Sequence, residues 1–354
     1  MDLYIRADAT AKIGTGHIMR CIALAQGWRE RGGVVTFISR CESEPLKQRI
    51  QGEGFSMLPL DRVCPDPSDL KNTLSILKKD ITDQKKWLVF DGYHFTPDYQ
   101  KAIRDAGIHL LVIDDMNHLP HYHADILLNQ NIHAPDLKYK CDADTTLLLG
   151  TRYVLLRREF LKYRDFNRQI PDRAKNILVT LGGADPDNVT LKVIEALKLL
   201  DAPDISVRII IGPANYHQES LRKALTTTLF DTELLVNPPN MPEHMAWADM
   251  AVSGGGSTCW ELALFELPNI ILYCAENQRP IAEKLHEKEI AWNLGGHTDL
   301  SSKSIAAAID KMINNKDTRA KMVSKATGQI DGQGAARVCQ AIEEVNESAD
   351  FRSA

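Results

Sequence analysis

The sequence predicts an α/β protein of two Rossmann-like parallel-sheet domains with a cleft between them. Three observations carry this. Short apolar strand runs alternate with helical stretches along the chain. Each half holds a strand that runs through a glycine turn into a helix, at residues 14–17 and at residues 254–257. A stretch dense in Arg, Lys, Asp and Asn, with Pro171, separates the halves. The expected boundaries are 1–160 for the first domain, 161–175 for a linker, 176–331 for the second domain and 332–354 for a C-terminal helix.

The 354 residues are 44% hydrophobic and 25% charged, a globular balance with room for two cores. Net charge is −5 and no long basic run occurs, which argues against a nucleic-acid partner. No apolar run reaches the roughly 18 residues of a membrane span. Met1-Asp2 leads at once into a strand, without a basic and apolar leader. The expected location is cytoplasmic, with no membrane partner. The seven cysteines form no C-x-x-C pair, and an odd count fits reduced thiols better than a disulfide scaffold or a zinc site.

In chain order, residues 3–7 read as the first strand. The helix after Gly16 places Ile18, Cys21, Ile22, Ala25 and Trp28 on one face, and Arg31-Gly32-Gly33 ends it. Strands follow at 34–39 and 55–60, around a short helix at 46–51. A helix opens at Asp66-Pro67 and runs to about Ile81. Residues 87–91 and 110–115 are apolar strands on either side of a helix at 97–106. Residues 125–129 are expected to be the last strand of this half. In the second half, 176–181 is a strand ending in Gly182-Gly183, and Asp185-Pro186-Asp187-Asn188 starts a helix. Strands at 207–211, 233–236 and 250–252 alternate with helices at 216–225 and 242–248. Ser253-Gly254-Gly255-Gly256-Ser257 then opens a helix that stops at Leu267-Pro268. A strand at 270–273 leads to Glu276-Asn277-Gln278 and further helices.

Polar residues gather where open α/β sheets bind ligands. Asp8, Asp91, Tyr93, Asp114, Asp115, Asn129 and Asn131 all lie at or just past strand C-termini. Asp114 and Asp115 point to opposite sides of an extended chain, which favours one of them capping a loop over a metal-binding pair. His118, His121 and His123 have the loop position and spacing of surface histidines rather than of a metal cluster.

Two motifs carry chemistry. Glycines at 254–256 with Ser257 let backbone amides approach a ligand, and the following helix aims its positive end at the same place. That arrangement suits a diphosphate without lysine or metal. Glu261, one turn further on, is placed to reach a ribose diol. A plain structural turn is the competing reading. The turn lacks the P-loop lysine and is not G-x-G-x-x-G, so ATPase and dinucleotide readings lose ground. Gly14-Thr15-Gly16-His17 is the counterpart in the first half. A histidine at a helix N-terminus feels the positive end of the dipole, which disfavours its imidazolium form. A neutral ring can take a proton from water; a capping or packed histidine is the alternative.

Two α/β domains with such turns describe the GT-B architecture, and here a family resemblance enters. Arg6-Ala7-Asp8 with Ile13-Gly14-x-Gly16-His17-Ile18-Met19-Arg20 resembles the opening signature of the UDP-sugar hydrolases of pseudaminic acid biosynthesis, which act on UDP-2,4-diacetamido-2,4,6-trideoxy-β-L-altropyranose. It is also similar to spore-coat polysaccharide proteins. Further matches are Asp91-x-Tyr93, Asp114-Asp115, Asp125-Ile126-Leu127-Leu128-Asn129-x-Asn131, Tyr153-x-Leu155-Leu156-Arg157-x-Glu159-Phe160, Gly182-Gly183-x-Asp185 and Asn277-Gln278. The second domain resembles the donor-binding half of the glycosyltransferase that makes lipid II. The resemblance implies hydrolysis of a UDP-sugar: His17 as general base, water attacking the anomeric carbon, UDP leaving and configuration inverting. It places Gly255, Gly256 and Ser257 at the phosphates, Glu261 at the ribose, and Tyr93, Asn277 and Gln278 at the substrate. Gly14 and Gly16 make room for the sugar, and Gly182 and Gly183 line the same ligand. No cofactor and no metal are implied. The competing readings are a glycosyltransferase on the same fold, a hydrolysing 2-epimerase, and a non-catalytic nucleotide-sugar-binding subunit.

Overall fold

The first sheet has seven parallel strands: β1 (Asp2–Ala7), β2 (Val34–Ser39), β3 (Ser56–Pro59), β4 (Lys86–Asp91), β5 (His109–Ile113), β6 (Ile126–Asn129) and β7 (Thr146–Leu149). Their spatial order is β3-β2-β1-β4-β5-β6-β7. These facts come from a computed structural model that describes residues 1–10, 13–79, 85–213 and 215–353. The chain divides into two compact units, Met1–Arg158 with Gly332–Ala354, and Glu159–Asp331.

Strand β4 shows why this sheet is parallel and covered on both faces. Trp87, Leu88, Val89 and Phe90 are all buried, so both of its faces need apolar cover. The helix Gly16–Glu30 supplies part of that cover and is itself buried almost all round. Its outer side is closed by the last helix, Gly334–Ser353. A Cβ at Gly27 would come within 3.3 Å of the Ala335 Cβ, so the missing side chain lets the two helices approach. Val338, Cys339 and Ile342 join the core that contains Leu3, Ile5 and Trp28. Trp87 Nε1 donates to Asn346 Oδ1 at 3.1 Å. Each fully buried leucine or isoleucine of this core contributes about 1.5–3 kcal/mol, and that burial ties residues after 332 to the first unit.

The second sheet has six parallel strands: β8 (Asn176–Thr180), β9 (Ser206–Ile211), β10 (Asp231–Val236), β11 (Met250–Ser253), β12 (Asn269–Tyr273) and β13 (Trp292–Gly296). Their order is β10-β9-β8-β11-β12-β13. In both sheets the order reverses beside the first strand, between β1 and β4 and between β8 and β11. Such a switch point opens a crevice at the strand C-termini.

Two strands and the bounds of one helix differ from the sequence expectation. Strand β7 extends the first sheet beyond β6, which was expected to be its last strand. Strand β13 extends the second sheet. Within residues 161–175, Arg168 and Ala174 are buried. The Arg168 guanidinium donates to the carbonyls of Phe265 at 2.7 Å and Met245 at 2.9 Å, and to that of Ala248. The helix expected to run to Ile81 spans Asp69–Lys79, and Ile81 lies outside the described residues.

Candidate functional site

In the first unit the site is built at the β1/β4 switch point. The chain leaves β1, turns through Gly14 at φ +79°, and enters the helix at Gly16. That φ favours glycine. A Cβ at Gly16 would meet nothing within 4 Å, so no neighbouring group demands glycine there. His17 follows, its side chain 11% exposed, and its Nδ1 lies 2.5 Å from Asp91 Oδ1. Asp91 is the last residue of β4 and pairs in register with Ala7, which sets its carboxylate beneath the turn.

Arg20, one helical turn after His17, organises what lies behind the pair. Its Nε and Nη2 donate to the two Asp91 oxygens, each at 2.6 Å. Its Nη1 and Nη2 donate to the Asp115 oxygens at 2.8 and 2.9 Å. Asp115 also accepts from Tyr93 Oη at 2.8 Å and from Asn131 Nδ2 at 2.7 Å. The Tyr93 ring stands edge-on to His17, with centroids 5.1 Å apart. Burial alone would push the Asp91 carboxyl up, but the charges and hydrogen bonds of Arg20 and His17 outweigh it and hold it well below the usual carboxylate range. Asp115 is lowered in the same way, burial opposing and Arg20 prevailing. The guanidinium of Arg20 is likewise kept charged by the two carboxylates against the cost of burial.

This arrangement fixes the chemistry of the ring. An ionised Asp91 accepts the Nδ1 proton, so that in the neutral ring the free lone pair is the one on Nε2. The charge nearest to the imidazole is therefore a carboxylate, rather than the helix dipole that the sequence brings to mind. Asp114 does structural work: Tyr122 and Tyr139 hydroxyls donate to it at 3.0 and 2.7 Å, and the amides of Met116 and Asn117 cap onto Oδ2. Arg6 and Asp8 belong to a buried network with Asp69, whose carboxylate also takes the Tyr99 hydroxyl at 2.5 Å.

In the second unit two glycine loops flank the β8/β11 switch point. Gly182, after β8, has φ +103°, a conformation open to glycine. Gly183 is approached so closely by Gly212 that a Cβ on the latter would lie 2.2 Å from the Gly183 carbonyl oxygen. Asp185 caps the next helix, accepting from the amides of Val189 and Thr190 at 2.8 Å each. After β11, Gly254 and Gly255 are buried, Gly256 is half-buried and Ser257 exposed at the mouth of helix Thr258–Leu264. Gln278 braces this loop: its Oε1 accepts from the Gly255 amide at 3.1 Å and from the Cys274 amide at 2.9 Å. A Cβ at Gly255 would meet the Gln278 carbonyl oxygen at 2.9 Å, so glycine is required there. Glu261 and Asn277 are both half-buried.

Of the residues read from the sequence, His17 and Tyr93 lie together in the first unit, with Gly14 and Gly16 on the turn that leads into His17. Gly255, Gly256 and Gln278 lie together in the second. Sequence reasoning named Asp91 and Asp115 among strand-end residues but gave no role to Arg20, which joins them. The signal available was its place one turn after His17 on a helix with an apolar face, where a buried arginine needs carboxylate partners.

Comparison with known proteins gives relatives in sequence and in fold. Residues 176–339 match the glycosyltransferase family 28 C-terminal domain. The chain is 28% identical over 79% of its length to an uncharacterized protein of Methanocaldococcus jannaschii, and spans 57% of that protein's length. It is 23% identical to the spore coat polysaccharide biosynthesis protein SpsG of Bacillus subtilis, over 98% of this chain and 99% of that one. It is 26% identical to the UDP-2,4-diacetamido-2,4,6-trideoxy-β-L-altropyranose hydrolase of Campylobacter jejuni, over 56% of this chain and 66% of that one. Among solved structures it is similar to S. aureus MnaA with UDP (TM-score 0.68, 13% identity, 98% and 97% of the two chains). It is also similar to Acinetobacter baumannii MurG (TM-score 0.66, 14% identity, 97% and 99%). The chain has the GT-B fold, and its residues 176–339 carry the match to the glycosyltransferase family 28 C-terminal domain.

Proposed function

We propose that the protein hydrolyses a UDP-linked 2,4-diacetamido-2,4,6-trideoxy hexose to the free sugar and UDP. The observation that carries this reading is the 2.5 Å pair of His17 Nδ1 and Asp91, locked from behind by Arg20. It is the constellation a general base needs. The partial identity to the Campylobacter hydrolase supports the choice of substrate class.

The nucleotide is assigned to the second unit. The amides of Gly256 and Ser257 face the diphosphate, Glu261 takes the ribose, and Gln278 holds Gly255 and the loop in shape. Water activation is assigned to the first unit. His17 Nε2 removes a proton from water as its oxygen bonds to the anomeric carbon. The bond from that carbon to the UDP oxygen breaks, its electron pair leaves with UDP, and configuration inverts. Asp91 stays ionised and stabilises the imidazolium as it forms. Amides at the glycine loop stabilise the charge that gathers on the departing diphosphate. Tyr93, bonded to Asp115 and edge-on to His17, keeps the ring in place.

The match to a glycosyltransferase domain favours a second reading, in which an acceptor hydroxyl replaces water. Incubation with the UDP-sugar and no acceptor separates the two. Turnover to UDP and free sugar supports the hydrolase; turnover only on adding an acceptor supports the transferase. His17→Ala should abolish turnover and leave UDP affinity nearly unchanged, the signature of an interaction made in the transition state.

A further inference from the structure

We propose that His121, His123 and Asp142 form a binding site for one zinc-class divalent cation, at the N-terminal ends of the strands of the first sheet, the end opposite to His17. Residues 121–123 precede β6 and Asp142 precedes β7, so the three lie at the N-terminal ends of these strands. Asp91, at the C-terminus of β4, lies at the opposite end of the strands.

Local structure explains why the three converge. Tyr122 forms a parallel bridge with Cys141, its amide donates to the Lys140 carbonyl at 2.8 Å, and its side chain is fully buried. In an extended segment the neighbours of a buried residue point the other way. His121 and His123 therefore emerge together, and the bridge delivers Asp142 beside them. His121 Nε2 lies 2.8 Å and His123 Nδ1 3.0 Å from the same oxygen, Asp142 Oδ1. One ligand atom from each of the three lies within 4.8 Å of the others. The second carboxylate oxygen accepts from Arg104 Nη1 at 2.7 Å, which fixes the orientation of Oδ1 toward the rings. Arg104 also reaches Asp125 and Asp144, so three carboxylates surround one guanidinium and the cluster keeps a negative surplus. His118 does not belong to it; it lies against Asp114 at 3.2 Å and the Tyr93 carbonyl at 2.9 Å.

Two imidazoles and one carboxylate suit zinc rather than calcium or magnesium, which take oxygen ligands. Without a cation, each neutral ring donates an N–H to Asp142. On binding, each ring presents a lone pair instead and carries its proton on the other nitrogen, so neutral rings release none. Three protein ligands leave a fourth position for water. Such a cation fastens the two segments that lead into β6 and β7.

The test is calorimetric titration of zinc chloride into the 354-residue protein after dialysis against a chelator, with cobalt(II) absorption as a second readout. One saturable site per chain is expected. His121→Ala and His123→Gln should each weaken it at least by the roughly tenfold to 100-fold that loss of even an outer partner costs. His118→Ala should leave it intact. Zinc should raise the melting temperature of the wild type and not that of the His121→Ala/His123→Gln double variant. Absence of saturable binding, equal binding by the double variant, or equal loss in His118→Ala would overturn the site. Circular dichroism of each variant separates lost binding from lost folding.

Discussion

Arg20 grips both oxygens of Asp91 at 2.6 Å while Asp91 holds His17 Nδ1 at 2.5 Å. The guanidinium keeps the carboxylate ionised and still, and the carboxylate sets the tautomer and direction of the imidazole. The proposed base, its orienter and the group that holds the orienter thus form one chain of contacts.

Replacing Asp91 by Asn tests the middle of that chain. The amide keeps the shape but no longer stabilises a charged ring, and it can favour the wrong tautomer. Turnover should fall by about 10²–10⁴, with UDP affinity changed by less than about threefold. Steady-state kinetics and calorimetry with UDP check both numbers. An equal loss in affinity would move Asp91 from the reaction to nucleotide binding.

Arg20→Ala leaves Asp91 and Asp115 buried without their cation. Breaking a buried pair in this way costs about 3–5 kcal/mol, so urea denaturation should show a large drop in midpoint. Arg20→Ala combined with Asp115→Asn should recover part of it. A neutral effect of Arg20→Ala would mean that the network is not the source of stability at this switch point.

The same groups predict how stability varies with pH. Folding lowers the pKa of Asp91 and Asp115 below the ordinary 3.8: burial opposes the shift, and Arg20 overrides it. Carboxyls lowered by folding contribute stability that is fully present above their unfolded value and is lost as pH falls toward the folded one. The denaturation midpoint should therefore fall below about pH 4, and more gently in Asp91→Asn. A wild-type protein more stable at pH 3 than at pH 7 would contradict this.

The glycine loop of the second unit gives a prediction about binding. Gly255→Ala forces a methyl against the Gln278 carbonyl, 2.9 Å away. Strain of this kind costs about 1–3 kcal/mol, and a displaced loop should weaken UDP binding about tenfold or more. Gln278→Ala removes the acceptor for two amides and should act in the same direction. Unchanged UDP affinity in both would remove this loop from the proposed nucleotide site.

Much of the fold was legible because parallel strands buried on both faces spell continuous apolar runs, as Trp87 to Phe90 do. The two strands that escaped lack that signature. Strand β7 lies at the sheet edge with Thr146 and Leu147 exposed. Strand β13 carries two glycines and an asparagine, and its register shifts against β12 between Ile271 and Leu272. His17 stood out because a glycine turn before a helix is a local pattern. Asp91 and Asp115 were visible as strand-end acids, but their joining through Arg20 was not, since they lie 71 and 95 residues from it and meet it only through the order β1-β4-β5. The brace from Gln278 to Gly255 was hidden for the same reason.

Water attack at the anomeric carbon leaves its mark in the mass of the released UDP. With the UDP-sugar turned over in ¹⁸O-water, UDP should carry no label and the heavy oxygen should be in the sugar. Label in the terminal phosphate of UDP would place the attack at phosphorus and contradict it.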